Sequence, residues 1–235
     1  MKRKKTLVSL TAALLGAAAL FAAAKPGTLS SRSAEGAELG TFIDSPEAIE
    51  AAAASTVKID AYDKDGIRIA TGSGFVAGDP AVVVTASHVV VNMKEAEATT
   101  DAGDTFTLGR VLYANTDTDV AVFELPEGTG LVPLPCREDF PKRGEKAAAI
   151  GSQFGCVNLV TMGNVCGMWG SGPSERILFT CPVSSGNSGG PVFDREGRVI
   201  GLVSGTYDRG QNMNLAVPIG KVTVVLERMS GDGEP

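Results

Sequence analysis

Short apolar segments separated by turn residues run from Thr56 almost to the end of this 235-residue chain, and they restrict its possible folds. Gly, Pro, Asn or Asp residues bound each segment, which is typical of β-strands rather than helices. The predicted strands are 57–62, 67–70, 72–76, 81–85, 104–113 and 120–125 in the first half, and 146–150, 159–165, 176–181, 191–193, 199–204 and 214–217 in the second. Six strands per half predict an all-β fold of two β-barrels or sandwiches.

Helices are predicted only at the two ends of this β-region. Ser45-Pro46-Glu47 combines an N-cap, a proline at the first helical position and an acid in the first turn, and 51–54 continues a short helix. The segment 220–229 has apolar residues at helical spacing.

The first residues have the pattern of an export signal. Basic residues at 2–5 precede an apolar stretch, 7–24, that ends in three alanines. This predicts a signal peptide over 1–24, cleaved after Ala24, and an exported protein, either periplasmic or secreted. The alternative is an uncleaved membrane anchor, since the stretch nearly reaches spanning length. Residues 25–44 lack periodicity and predict a linker.

The composition excludes several classes of partner. The net charge is −6 and no Lys/Arg cluster follows the N-terminus, so nucleic acid is not an expected partner. With one histidine and no C-x-x-C spacing, no metal site and no cofactor are expected. The four cysteines of an exported chain suggest disulfides, first of all Cys166–Cys181 across a hairpin, with buried free thiols as the alternative.

Ser188 lies in a glycine-rich turn, S-G-N-S-G-G-P-V. Such a turn can expose one hydroxyl and direct main-chain N–H groups to a common point, as a nucleophile beside an oxyanion hole requires. An ordinary hairpin turn is the alternative. The turn also fits the G-x-S-x-G elbow of α/β-hydrolases, but those enzymes place their histidine after the serine, and no histidine follows Ser188.

His88 is the only histidine of the chain, so a histidine that activates Ser188 as a general base must be His88; an incidental surface or core histidine is the alternative. The base needs a carboxylate to orient it. Asp119 directly precedes a predicted strand and is preferred over Asp117, which lies in the turn. The order His88, Asp119, Ser188 is the chymotrypsin-type order.

Six segments together resemble the trypsin-like fold, and most of all its Deg (high-temperature-requirement) branch. They are T-G-S-G-F-V (71–76), T-A-S-H-V-V (85–90), T-D-V-A-V (118–122), I-G-S-Q-F-G (150–155), S-G-N-S-G-G-P-V (185–192) and N-L-A-V-P-I (214–219). The resemblance implies a protease domain over 45–230, made of two six-stranded antiparallel β-barrels (about 54–126 and 133–219) and a short C-terminal helix, 220–229.

The same resemblance assigns roles to individual residues. His88 and Asp119 would come from the first barrel and Ser188 from the second. Gly186 and Ser188 would supply the oxyanion-hole N–H groups, with Asn187 shaping the turn. The substrate pocket would be formed by Pro182, Val183, Ser184, Val203, Ser204 and Gly205. None of the pocket residues is charged, so a small or medium apolar residue is expected before the cleaved bond.

The predicted function is therefore a serine endopeptidase that cleaves unfolded or extended segments of exported polypeptides through an acyl-enzyme. The alternatives are a catalytically silent binding module or chaperone with this fold, and an esterase of small substrates. Zymogen-type relatives have an aspartate at the position of Asn187, which pairs with a newly freed N-terminus. With asparagine there, activity is expected without an activating cleavage. No PDZ domain is expected after the protease domain, and the oligomeric state is left open.

Overall fold

Thirteen β-strands in two sheets form most of the fold in the computed structural model, which describes residues 42–207 and 210–231. The strands of the first half are β1 (Thr56–Tyr62), β2 (Arg68–Ala77), β3 (Val82–Thr85), β4 (Glu95–Thr99), β5 (Thr105–Thr107), β6 (Val111–Asn115) and β7 (Val120–Glu124). Those of the second half are β8 (Lys146–Gly151), β9 (Leu159–Trp169), β10 (Arg176–Phe179), β11 (Pro191–Phe193), β12 (Val199–Thr206) and β13 (Asn214–Pro218). The predicted all-β fold is confirmed.

The first sheet differs in detail from the expected six-stranded barrel. It has seven antiparallel strands in the order β5-β4-β1-β2-β3-β7-β6 and curls into a half-barrel. The expected strand 104–113 is two strands, β5 and β6. Strand β4 was not predicted, because its sequence, E-A-E-A-T, is rich in residues that are rare in strands. Its alternation nevertheless buries Ala96 and Ala98, while the glutamates lie on the outer face.

The second sheet is a closed six-stranded barrel, as expected, with the cyclic order β10-β13-β12-β11-β8-β9. Its interior is filled by side chains from strands on all sides, among them Ile177, Phe179 and Val192, each fully buried. Ala147 and Ala149 also point inward. Closure removes unpaired strand edges from this half of the molecule.

Three short α-helices accompany the two sheets in the described part of the chain, one before β1, one after β3 and one after β13. Helix α1 (Pro46–Ala53) begins as predicted, with the Ser45 hydroxyl accepting a hydrogen bond from the N–H of Ala48 at 3.2 Å. Residues 42–44, expected as linker, instead form a 3-10 turn in which the Phe42 ring packs on Phe193 at 5.0 Å. Helix α2 (Ser87–Val90) follows β3. Helix α3 (Gly220–Ser230) follows the last strand, where a helix was predicted.

All four cysteines are free thiols in the structure. The register of the strands separates Cys166 from Cys181, so the expected disulfide between them cannot form. Thr180 pairs with Asn164, and Cys181 lies directly against Gly163. Cys166 is therefore about three residues, or roughly 10 Å, further along β9. That separation exceeds the reach of a disulfide.

The predicted signal peptide, 1–24, and the linker up to residue 41 lie outside the described residues. Within 42–207 and 210–231, no helix is both long and apolar enough to cross a membrane.

Candidate active site

His88 lies where strand β3 leaves the first sheet. The strand is valine-rich and fully buried up to Thr85, and the chain then turns into α2, whose second residue is His88. The neighbouring Ser87 and Val89 are buried, whereas the His88 side chain is 46% exposed. A rigid strand therefore presents one accessible imidazole at the surface of the first sheet.

Asp119, directly before β7, faces His88 and accepts hydrogen bonds from three residues. Nδ1 of His88 lies 2.9 Å from Oδ1 and 3.0 Å from Oδ2, and the His88 main-chain N–H donates to Oδ1 at 3.1 Å. The hydroxyls of Ser87 and Ser204 donate to Oδ1 at 3.1 Å and to Oδ2 at 2.6 Å. Asp119 has a φ of 61°, a left-handed conformation that aspartate tolerates better than most residues.

Burial alone would raise the pKa of Asp119, but the hydrogen bonds from His88 and Ser204 outweigh it and hold the pKa below its usual value. The carboxylate is therefore ionised at neutral pH and can only accept hydrogen bonds. Nδ1 of His88 must then carry the hydrogen, which leaves Nε2 of the neutral imidazole as a proton acceptor. This tautomer is the one that a general base requires.

The turn that carries Ser188 needs glycine on both sides. Gly186 and Gly189 have φ values of 102° and 86°. A Cβ on Gly186 would collide with the Ser152 carbonyl oxygen, and a Cβ on Gly189 would collide with Ser73 and Thr85. Both positive φ and close approach therefore exclude any other residue.

Ser73 of β2 fastens this turn to the first sheet. Its N–H donates to the Ser188 carbonyl oxygen at 2.7 Å, and its hydroxyl donates to the Gly186 carbonyl oxygen at 2.7 Å. Within the described part of the chain, the N–H groups of Gly186 and Ser188 have no hydrogen-bond partner. Two main-chain donors of the turn are thus free to bind an anionic oxygen.

The nucleophile turn also lies close to the junction that carries His88. The position of a Cβ on Gly189 would be 2.8 Å from the main-chain nitrogen of Ala86, two residues before His88. Gly72 is held between Val89 of α2 and the Ser188 carbonyl oxygen. The structure therefore brings the neighbours of Ser188 and His88 into contact across the two sheets, whereas Asp117 is an exposed turn residue.

The predicted pocket residues divide into two groups. Pro182 is exposed, Val183 and Ser184 are half-buried, and a Cβ on Gly205 would meet open space. The side chain of Val203, in contrast, lies in the core of the second barrel and is 1% exposed. The Ser204 hydroxyl donates to Oδ2 of Asp119.

Sequence reasoning missed three polar side chains at this site. Ser73 binds the turn that carries Ser188, and Ser87 binds Asp119. The buried Asn214 donates from Nδ2 to the carbonyl oxygen of Cys181 at 2.7 Å, directly before Pro182. Ser73 and Ser87 lie within two of the quoted motifs, T-G-S-G-F-V and T-A-S-H-V-V, which was the available signal. Asn214 is a polar residue at the start of an otherwise apolar strand, a weaker signal.

The Asn187 side chain is 1% exposed, and neither its Oδ1 nor its Nδ2 has a hydrogen-bond partner among the described residues. It packs against Gly151, where a Cβ would lie 2.8 Å from Oδ1. Over residues 42–207 and 210–231, no cluster of three metal-ligating side chains occurs.

Comparison with known proteins gives consistent results. Residues 72–202 match the family described as Trypsin-like peptidase domain. Protease Do-like 5, chloroplastic, of Arabidopsis thaliana is 32% identical over 204 residues, covering 75% of this chain and 62% of that protein. A relative from Halomonas elongata, named as a DegP-like periplasmic serine endoprotease, is 31% identical over 174 residues, covering 71% and 36%. The chain thus spans less than two thirds of these relatives' own length.

Among solved structures, the active form of the Rv3671c protease from M. tuberculosis superposes with a TM-score of 0.69. It is 23% identical, and the superposition covers 80% of this chain and 85% of that one. At this identity the likeness concerns the fold.

Proposed function

This chain belongs to the trypsin-like peptidase domain family, and we propose that it is a serine endopeptidase that hydrolyses peptide bonds through an acyl-enzyme. One observation carries the proposal. Asp119 holds the His88 imidazole by Nδ1, and the turn next to that pair carries Ser188 and two N–H groups that have no hydrogen-bond partner among the described residues. Packing alone does not require this combination of side chains.

In the proposed reaction, Nε2 of His88 takes the proton from the Ser188 hydroxyl as Oγ attacks the carbonyl carbon of the peptide bond. The imidazolium formed is stabilised by the Asp119 carboxylate. The N–H groups of Gly186 and Ser188 bind the oxyanion, and His88 then protonates the leaving amine. Water, activated by His88, hydrolyses the acyl-enzyme and restores Ser188.

The substrates are proposed to be polypeptides outside the cytoplasm, in unfolded or extended segments. The names of the relatives support a protease, and the DegP-like relative is described as periplasmic. The chain's own N-terminal pattern is that of a signal peptide. The residues proposed for the substrate pocket carry no charge, which favours an apolar residue before the cleaved bond.

An active-site serine phosphonate tests the proposal. The wild-type protein should be labelled covalently and should cleave casein, while Ser188→Ala should remain folded and do neither. Ser185→Ala is the matched control, since Ser185 is an exposed serine of the same turn. It should label like the wild type.

Failure of the wild type to label would favour a silent binding module. Labelling without cleavage of casein or of a peptide library would favour an esterase. Cleavage mainly after Arg or Lys would contradict the apolar preference.

A further inference from the structure

A loop of the second barrel, residues 152–158, presses against the nucleophile turn. The Ser152 carbonyl oxygen leaves no room for a side chain on Gly186. The N–H of Phe154 donates to the Ser185 carbonyl oxygen at 3.3 Å. This contact involves the peptide bond between Ser185 and Gly186, whose N–H is one of the two unpaired donors.

The contact determines where the Gly186 N–H points. In a trans peptide the C=O and the N–H of the same unit point in opposite directions. While Phe154 binds the Ser185 carbonyl on one side, the Gly186 N–H must face the other side. If the loop moved away, the peptide could rotate and the donor would be lost from the oxyanion hole.

The middle of this loop has little packing of its own. The Phe154 side chain is 79% exposed, and Gly155 and Cys156 are exposed as well. Phe154 also has a φ of 53°, which is uncommon for a bulky residue. Contacts elsewhere must therefore hold the backbone of the loop in place.

Asn158 at the end of the loop provides such contacts. Its side chain is buried, and Nδ2 donates to the carbonyl oxygens of Ala53 at 2.9 Å and Thr56 at 2.8 Å. Ala53 is the last residue of α1 and Thr56 the first of β1. The Asn158 N–H also donates to the Ser152 hydroxyl, at 3.4 Å, which closes the loop on itself.

The residue type fits this task. Asn158 has a φ of 51°, a conformation in which asparagine is enriched. Its amide supplies two N–H donors for two carbonyl acceptors, while its Oδ1 has no partner within the described chain. Glycine would keep the backbone conformation but lose both donors.

We propose that Asn158 is a positioning residue for catalysis, which clamps the 152–158 loop to the end of helix α1 and thereby fixes the oxyanion turn. The N-terminal helix becomes part of the active-site support. The inference rests on the proposed peptidase function and adds a requirement: the segment before β1 must stay in place for full turnover.

The test compares Asn158→Gly with wild type in peptide hydrolysis and inhibitor binding. Glycine keeps the left-handed backbone, so folding is retained. We expect kcat to fall by about 10- to 100-fold, which is at most about the loss that removal of one oxyanion-hole donor causes. KM should change by less than about threefold. Affinity for a peptide boronic acid, whose tetrahedral adduct needs the oxyanion hole, should fall by the same factor as kcat. Affinity for the corresponding product peptide should not change.

Val222→Ala in α3 serves as the control for stability, since Val222 is fully buried and belongs to the far end of the chain. It should lower Tm without changing kcat well below Tm. Asn158→Asp, which has the same shape but directs a carboxylate at two carbonyl oxygens, should lose at least as much kcat as the glycine variant.

An Asn158→Gly enzyme with wild-type kcat and boronate affinity would overturn the inference while leaving the peptidase intact. Equal losses of boronate and product-peptide affinity would also overturn it. An inactive wild type would instead contradict the proposed function.

Discussion

Replacing Ser73 with alanine tests how firmly the nucleophile turn is held to the first sheet. The Ser73 hydroxyl is fully buried, donates to the Gly186 carbonyl oxygen at 2.7 Å, and accepts from the Ser152 N–H at 2.9 Å. Alanine would leave both main-chain groups without this partner. Each unsatisfied buried polar group costs about 1–3 kcal/mol, so the loss of both bonds should lower the free energy of unfolding by about 2–6 kcal/mol.

Urea unfolding followed by circular dichroism measures this loss, provided that the slope with denaturant is unchanged. Ser174→Ala is the matched control, because the Ser174 hydroxyl also donates to a carbonyl oxygen, that of Ser171, at 3.0 Å, but in an exposed turn. The control should change stability by less than about 0.5 kcal/mol. A loss for Ser73→Ala no greater than for Ser174→Ala would refute the assigned role. We also expect kcat of Ser73→Ala to fall, since the Gly186 peptide loses its anchor.

Three further outcomes are expected. Because the pKa of Asp119 is lowered in the folded protein, its ionised form stabilises the fold above the unfolded pKa of about 3.9, and this stabilisation is lost as pH falls through the folded pKa. Ser204→Ala removes one hydrogen-bond donor to Asp119, so the midpoint of acid unfolding should move to higher pH. An unchanged midpoint would argue against the Ser204–Asp119 hydrogen bond. Asn187→Asp places a carboxylate at a buried position where the side chain has no hydrogen-bond partner among the described residues, so urea unfolding should show a free energy of unfolding lower by about 3–5 kcal/mol at pH 7, with recovery at low pH. At pH 8, iodoacetamide should modify the exposed Cys156 first and spare Cys181, whose pKa is raised to about 12 by burial. Mass spectrometry of the folded protein measures the order, and modification of Cys181 before Cys156 would contradict the expectation.

The sequence named the candidate residues of the site where the choice depends on residue type and chain order. His88 is the only histidine, and the chain order of His88, Asp119 and Ser188 distinguished the G-N-S-G-G turn from an α/β-hydrolase elbow. The short strands with clear turn residues predicted barrels or sandwiches, and the family resemblance selected the barrel. The choice of Asp119 over Asp117 rested on adjacency to a strand, and the structure places only Asp119 against His88.

The features that were missed depend on which residues meet across the molecule. The family resemblance placed Ser204 among the substrate-pocket residues, but the sequence did not predict that its hydroxyl, on strand β12, donates to Asp119. Cys166 and Cys181 were paired across a hairpin, yet the register of β9 puts Gly163 opposite Cys181. Register and facing are set by packing between strands, and no single stretch of sequence encodes them.

Three of the contacts that support the proposed site join the two halves of the chain. Ser204 reaches Asp119, Ser73 reaches Gly186, and Asn158 reaches the end of α1. The proposed base and acid belong to one sheet and the proposed nucleophile to the other, so neither half alone can hold the proposed reacting groups in place. A small change in how the sheets dock would therefore misplace the proposed catalytic groups while leaving each barrel folded. Activity should respond to substitutions at these junction residues more strongly than to equally destabilising substitutions inside either core.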